Sequence, residues 1–410
     1  RENLLIYELN KMSTFVKRFL LKDFILTELI FRIFKKLPSF LKRIFIEFYF
    51  FFPKNKNTFP CRLTIFLTDK CNMKCAHCFI IKDEAKKTVE IGLSEYKKIF
   101  KSLNGKTSQI LLTGGEPTLR KDLVDLAINA NKLGGVSTVN LFSNGLYPEK
   151  TKVMLEDILN NSSIKINYQT SIDGVEKFHN ENRKVKDSFA KTVETIKQIN
   201  ILKKDYQKRI GRVVVSMAVS KKNMSQLEEI ISTLEPLNIF FASAFVRKSR
   251  DVFNINKDLI NYDFTPEEIK KDGSEKFGNN YLDDNDLANV IKKLDEKIWS
   301  KYPDQMIYAY QKTTLKAKEV LEKYSKSPIN SECGMGYEDL VLLPNGKVAR
   351  CEMLNSYADL KSFDYNLKDF IFSDIHSNYL KKSSGCYCSH ECGIGVTIMS
   401  DKKLLNELVR

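Results

Sequence analysis

From residue 60 to about 245 the chain alternates short β-branched runs with amphipathic stretches of helical period. Strands are expected at Leu63 to Thr68, Gln109 to Thr113, Ser137 to Phe142, Lys165 to Ser171, Arg212 to Val219 and Ile239 to Phe245. Helices are expected near 94–103, 119–133, 148–160, 187–200 and 225–234. Ser94, Thr118 and Asp187 stand where N-caps belong, and Pro148 occupies a first-turn position, where a missing N–H costs nothing. Alternating strand and helix means an α/β fold with a parallel sheet and right-handed crossovers. In a closed or partly closed parallel sheet of this kind, chemistry gathers in the loops after the carboxyl ends of the strands.

The flanks read differently. Phe15 to Phe52 interleaves eleven phenylalanines and a tyrosine with Lys17, Arg18, Lys22, Arg32, Lys35, Lys36, Lys42 and Arg43, against only Asp23, Glu28 and Glu47. Charged positions recur at helical spacing, which predicts two amphipathic helices broken at Pro38 with Ser39 as N-cap. No charge-free run approaches the roughly 18 to 20 apolar residues that a membrane-spanning helix needs, and the stretch lacks the apolar core and small-residue cleavage site of a signal peptide. Such a pair either lies in a membrane interface, cations toward anionic head groups, or packs on the barrel or in an oligomer interface. Residues 247–325 are polar and helical, with a helix start at Thr265-Pro266-Glu267-Glu268 and a long amphipathic stretch from about 284, and they are expected to bridge the barrel and cover its open side. The expected units are thus 1–58, 59–246, 247–325 and 326–410.

Composition narrows the class. At 410 residues and 43% hydrophobic the chain is long enough for two or three folded units. Nine cysteines do not make a secreted disulfide framework, because eight of them fall into two groups, 71–78 and 333–392, and only Cys61 stands alone, at the head of the first strand, where a core role is expected. Metal ligation in a reducing, cytoplasmic compartment explains that distribution. The net charge of +15 is spread over lysine-rich helix surfaces and the N-terminal stretch, with no nucleic-acid-binding motif.

The first group carries the chemistry. Cys71, Cys75 and Cys78, spaced C-x-x-x-C-x-x-C directly after the first strand, supply three thiolates, one fewer than a [4Fe–4S] cluster has irons, so one iron stays open to an exogenous ligand. After the second strand comes Gly114-Gly115-Glu116-Pro117, where glycines permit close backbone approach and a carboxylate takes an ammonium group. Together these motifs resemble the radical S-adenosylmethionine (SAM) enzymes, and the resemblance implies a partial (β/α)6 barrel with SAM as the ligand of the open iron. It implies that Glu116 holds the SAM amino group, with Gly114, Gly115 and Pro117 shaping that turn. It gives Ser143 and Asn144, after the third strand, ribose and carboxylate contacts, although a plain Asn-Gly turn at Ser143-Asn144-Gly145 explains them equally. Ser171 and Asp173, in Ser171-Ile172-Asp173-Gly174 after the fourth, are implied to bind SAM or order the loop. His179 and Arg183 resemble a His-Asp-x-x-Arg pattern, with Arg183 a partner for the SAM carboxylate. Asn223 matches a further family position that helix capping explains as well. His77 and Phe79 are implied to wall the adenine site, the alternative for His77 being metal ligation.

The second group begins with Cys333, followed by the hairpin signal Leu340 to Leu343, Pro344-Asn345-Gly346, Lys347 to Ala349, and then Cys351. It closes with Cys386, Cys388 and Cys392. This resembles a SPASM or shorter twitch domain, which holds auxiliary [4Fe–4S] clusters; the full pattern has seven cysteines, and five imply one auxiliary cluster. Cys333 and Cys351 are expected in it, with Cys386 or Cys388 and Cys392 completing the set, while a zinc site of Cys386, Cys388, His390 and Cys392 is the rival. The implied activity is reductive cleavage of SAM to a 5′-deoxyadenosyl radical that takes hydrogen from a substrate, with flavodoxin or ferredoxin as reductant. The N-terminal helices point to a lipid or membrane-associated substrate at a membrane surface, the alternative being a ribosomally made peptide, and a non-catalytic iron–sulfur carrier or zinc scaffold stands as the remote rival.

Overall fold

The computed structural model describes residues 31–38, 40–42, 44, 46, 59–78, 89–246, 252–253, 257–259, 281–324, 333–388, 390–398 and 401–409. Phe79, Ser39 and the Thr265–Glu268 helix start lie outside these residues. All six expected strands form, as β1 (Arg62–Thr68), β2 (Gln109–Gly114), β3 (Thr138–Phe142), β4 (Lys165–Ser171), β5 (Ile210–Val219) and β6 (Phe240–Phe245), paired in parallel and in sequence order. Between them run α1 (Leu93–Leu103), α2 (Leu123–Gly134), α3 (Pro148–Asn161), α4 (Glu176–Arg183), α5 (Ser188–Asp205) and α6 (Leu227–Leu234).

The helices cover one face of the sheet. Tyr96, Ile99, Phe100 and Leu103 of α1, Leu126, Ala127 and Ala130 of α2 and Ile196 and Ile199 of α5 are buried against it in one continuous core. The other face is more polar: β2 and β4 alternate buried and half-buried positions, and Asn140 links the Gln109 side chain on β2 to Asn167 on β4 by amide hydrogen bonds of 3.3 and 2.9 Å. A parallel sheet whose second face carries amides encloses a wet cavity rather than a second apolar core.

Two helix starts differ from expectation. Gly92 and not Ser94 is the N-cap of α1, because the Glu95 carboxylate turns back to accept the Gly92 N–H at 3.0 Å, and Ser94 donates to that same carboxylate. Thr118 caps no helix; it lies inside a 3₁₀ turn, Pro117–Leu119, capped by Glu116, and α2 starts only after Asp122. Pro148 opens α3 and Asp187 precedes α5 as expected. Cys61 is half-buried rather than core, its thiol donating to the Glu338 carbonyl at 3.2 Å.

Beyond the barrel come α7 (Asp284–Leu294) and α8 (Met306–Tyr324), then β7 (Asp339–Leu342), β8 (Lys347–Ala349) and β9 (Ala358–Asp359), and the helices α9 (Leu367–Ile371), α10 (Asp374–Lys382), α11 (Glu391–Ile398) and α12 (Lys402–Val409). The expected hairpin forms, with Gly346 at φ +82. Its destination is new: β7 pairs in parallel with β1, from Arg62↔Asp339 to Ile65↔Leu342, so the C-terminal hairpin extends the barrel sheet. Asp339, itself buried, takes Arg62 at 2.7 Å and the Thr64 hydroxyl at 3.1 Å, which pins that register. At the other edge α8 lies along β6, with the Tyr308 hydroxyl accepting the Phe241 N–H and Lys318 over the Phe245 ring. Residues 31–36 are helical, the chain breaks at 37–38, and 40–42 are helical again. Phe31 and Ile46 are buried with Leu321, Ile394, Ile398, Leu404 and Leu408 of the C-terminal helices. No helix among the described residues is long and apolar enough to cross a membrane.

Candidate active site and auxiliary cysteine pocket

The two glycines after β2 exist for the cysteine loop. A Cβ on Gly114, whose φ is +126, would sit 2.5 Å from the Thr68 carbonyl oxygen, and one on Gly115 would sit 2.2 Å from that of Lys70. The strand end therefore lies flat on the chain entering Cys71, and the Gly115 and Glu116 N–H groups donate to Thr68 and Lys70 carbonyls at 2.7 and 2.8 Å. Close approach to backbone rather than to a ligand is what removes the side chains.

Glu116 is fully buried. Burial pushes its carboxyl up, while the Thr118 hydroxyl at 2.6 Å, the Thr118 N–H at 3.0 Å, the Asn144 N–H at 2.7 Å and the Ser143 hydroxyl at 2.9 Å favour its charged form. Ser143 and Asn144 thus hold Glu116 in place, and the Asn144 amide reaches on to Asn72 of the cysteine loop at 2.7 Å. Cys71, Cys75, Cys78, His77, Gly114, Gly115, Glu116, Ser143, Asn144, Ser171 and Arg183 line one cavity of about 260 Å³, together with the apolar Phe142, Phe245 and Val246. Pro117 and Asp173 are buried outside that lining.

Asp173 sits beneath the loop. Burial alone raises a carboxyl, but the Arg183 guanidinium, at 2.6 and 3.0 Å, overcomes this and holds Asp173 well below the usual carboxylate range. Arg183 also donates to the Cys75 sulfur at 3.6 Å. Its neighbour Asn182 accepts the Ala76 N–H on its carbonyl at 2.9 Å and places its amide 3.1 Å from His77 Nδ1. The end of α4 therefore clasps the cysteine loop at three successive residues. His77 is held below its ordinary value by burial, so it stays neutral and accepts from Asn182. His179 is pushed down to about 4 by burial and by Arg183, and its Nδ1 accepts the Asp173 N–H. Asn223 is buried and ties the β5 loop, its amide donating to the Asp173 and Ala218 carbonyls and its oxygen accepting from Ser220.

The second pocket is smaller. All five C-terminal cysteines and His390 line a space of about 20 Å³. Cys351, Cys386 and Cys388 are pushed up first by burial and then by Cys333, the Cys386 thiol to about 12. Thiols so raised become thiolates only when a metal supplies positive charge. Arg350, whose side chain is almost wholly buried, organises the pocket: it donates to the carbonyls of Cys333, Met335 and Ser383 and to the Ser383 hydroxyl. Cys392 is exposed at the rim, beside His390 and Glu352. Cys392 and His390 line the same pocket as Cys386 and Cys388, so the expected ligand set and the rival zinc set draw on one group of side chains.

Three thiols beside an open cavity suit a [4Fe–4S] cluster whose fourth iron takes SAM, and the five thiols of the smaller pocket offer enough ligands for a saturated auxiliary cluster. Asn182 and Arg350 carried no motif in the sequence. Arg350 adjoins Cys351, which is the only signal it offered.

Residues 65–234 match the model of the radical SAM superfamily. The sporulation killing factor maturation protein SkfB of Bacillus subtilis is 29% identical over 173 residues, 42% of this chain and 39% of SkfB, so the match spans about two fifths of that relative. The antilisterial bacteriocin subtilosin biosynthesis protein AlbA of the same organism is 24% identical over 347 residues, 82% of this chain and 65% of AlbA. Among solved structures, Streptococcus suis SuiB bound to precursor peptide SuiA aligns with a TM-score of 0.53 and 16% identity over 78% of this chain and 67% of SuiB, a likeness of fold. With its three-cysteine loop, its Gly-Gly-Glu-Pro strand end and this match, residues 65–234 form a radical SAM domain, followed by a C-terminal cysteine pocket like that of SPASM-type enzymes.

Proposed function

We propose that this chain is a radical SAM enzyme that modifies a peptide. The observation that carries the catalytic part is the convergence of Cys71, Cys75, Cys78 and buried Glu116 on one cavity. Bound there, a [4Fe–4S] cluster and SAM supply one-electron reductive cleavage and a 5′-deoxyadenosyl radical, with a flavodoxin- or ferredoxin-type protein as electron donor. The chain's own part is to orient and to exclude. Glu116, fixed by Thr118, Ser143 and Asn144, presents a carboxylate to an ammonium group. Phe142, Phe245 and Val246 give the cavity an apolar wall that keeps water from a reactive intermediate. Arg183 and Asn182 hold the loop against the strain of ligand exchange. Cys333, Cys351, Cys386 and Cys388 would hold an auxiliary cluster, which would supply an acceptor for the electron left on a substrate radical.

The peptide substrate is supported by SkfB, named a maturation protein, and by AlbA, named for biosynthesis of a bacteriocin, whose match runs through most of the chain. Anaerobic reconstitution, followed by SAM and dithionite, tests the reaction: 5′-deoxyadenosine forms, and a cognate precursor peptide gains or loses mass by whole hydrogens. Absence of 5′-deoxyadenosine from cluster-loaded protein would sink the assignment. A second reading, a membrane-borne substrate, has one observation for it: Ile33, Phe40 and Ile44 are 55%, 63% and 58% exposed among basic residues. Liposome co-sedimentation with and without residues 1–58 tests it, and equal binding by both forms removes its basis.

A further inference from the structure

Five cysteines reach a pocket that one four-iron cluster fills with four. Cys333, Cys351, Cys386 and Cys388 line that pocket, with Cys386 buried and the other three half-buried. Cys392, on the exposed side, opens helix α11 together with Glu391, and its sulfur stands with a ring nitrogen of His390 and a carboxylate oxygen of Glu352, all within 4.8 Å of one another. His390 Nε2 and Glu352 Oε1 are 3.6 Å apart, with side chains only 4% and 12% exposed. An imidazole and a carboxylate brought together with so little exposure are costly to bury, and a cation that they share with the exposed Cys392 thiol repays that cost.

We propose that Glu352, His390 and Cys392 form a mononuclear site for a zinc-type divalent cation at the rim of the auxiliary pocket. The donor chemistry fits: a thiolate and a carboxylate balance the two positive charges and a neutral imidazole completes three ligands, the set of a zinc ion with its fourth position open. The geometry fits as well. Tetrahedral bonds of about 2.0–2.3 Å place donor atoms roughly 3.5 Å apart, the separation that His390 and Glu352 already have. Binding releases the Cys392 proton to solvent and needs no redox partner. The open fourth position takes water or a donor atom of a substrate. The site shares His390 and Cys392 with the four-ligand zinc reading and takes Glu352 in place of Cys386 and Cys388.

The full chain, first loaded anaerobically with iron and sulfide, is equilibrated with zinc chloride, desalted and analysed for both metals. The expected result is one zinc beyond the iron of two clusters. Cys392→Ser, His390→Gln and Glu352→Gln each weaken zinc retention at least tenfold and leave iron and sulfide unchanged. Cobalt in place of zinc gives a thiolate-to-metal absorption in the difference spectrum, and Cys392→Ser abolishes it. No zinc on the loaded wild-type chain overturns the proposal, as does zinc retained equally by all three variants. Iron lost from Cys392→Ser also overturns it, because Cys392 would then belong to the cluster. Circular dichroism of each variant guards against unfolding, and any one variant that keeps its fold decides the matter.

Discussion

The loop of Cys71, Cys75 and Cys78 and the pocket of Cys333 to Cys392 both gather thiols, but the first adjoins a cavity of about 260 Å³ and the second encloses about 20 Å³. Three ligands come from eight consecutive residues in the first; in the second they come from segments that the barrel sheet, the β7–β8 hairpin and α11 bring together. The open site is built to exchange a ligand, and the closed one to hold its charge away from water. Each has an arginine: Arg183 reaches the Cys75 sulfur from the ion pair with Asp173, and Arg350 reaches the backbone of the pocket from a hairpin strand's end.

The sharpest test of that contrast is cysteine replacement. Cys75→Ser is expected to abolish 5′-deoxyadenosine formation and remove one cluster's iron, whereas Cys351→Ser removes the other cluster's iron and leaves SAM cleavage in place. Equal loss of cleavage in both would merge the two roles. Next in size is Gly115→Ala, whose Cβ meets the Lys70 carbonyl at 2.2 Å. Displacing the cysteine loop by that contact is expected to slow cleavage about 10²-fold, with the auxiliary iron intact by metal analysis.

Arg183→Gln leaves Asp173 buried without its cation and is expected to cost about 3–5 kcal/mol of stability. Because burial raises Asp173 and Arg183 holds it down, the stability it brings is present above the unfolded carboxyl value and fades only in strong acid. Arg183→Lys restores the charge without the fork, so it recovers part of the stability in denaturant titrations while the loop cluster's electron paramagnetic resonance signal and midpoint potential stay altered. A potential equal to wild type in both variants would show that the Cys75 contact does not tune the cluster.

The smallest expected effect concerns pH. His179 and His376 are held near 4 by burial and by arginine neighbours, so between about pH 6.5 and 4 the unfolded chain binds protons the folded one does not. Stability therefore falls with falling pH across that window, by at most about 1.4 kcal/mol per pH unit for each histidine. His376→Gln should flatten the slope of urea midpoints against pH, and an unchanged slope would place the effect elsewhere.

Much of the barrel could be read from periodicity, because every one of its six strands buries apolar side chains against an amphipathic helix. Helix α4 could not. Glu176 to Arg183 is polar at nearly every position, and its two buried residues are His179 and Arg183, so no apolar period marks it. That helix supplies the clasp on the cysteine loop, so in the sequence only resemblance gives Arg183 a role and no motif marks Asn182. Ser143 and Asn144 were found by position, but their hydrogen bonds to Glu116 follow from how β2 and β3 align.

The sequence by itself determined the parallel α/β order, the three-thiol loop and the hairpin after Cys333, since each depends on residues close together in the chain. Tertiary structure decided the rest: that β7 joins β1 across 277 positions through Arg62 and Asp339, that α4 grips the loop, and that Cys392 meets His390 and Glu352. Local spacing records which atoms a segment offers; only packing between distant segments fixes which of them meet.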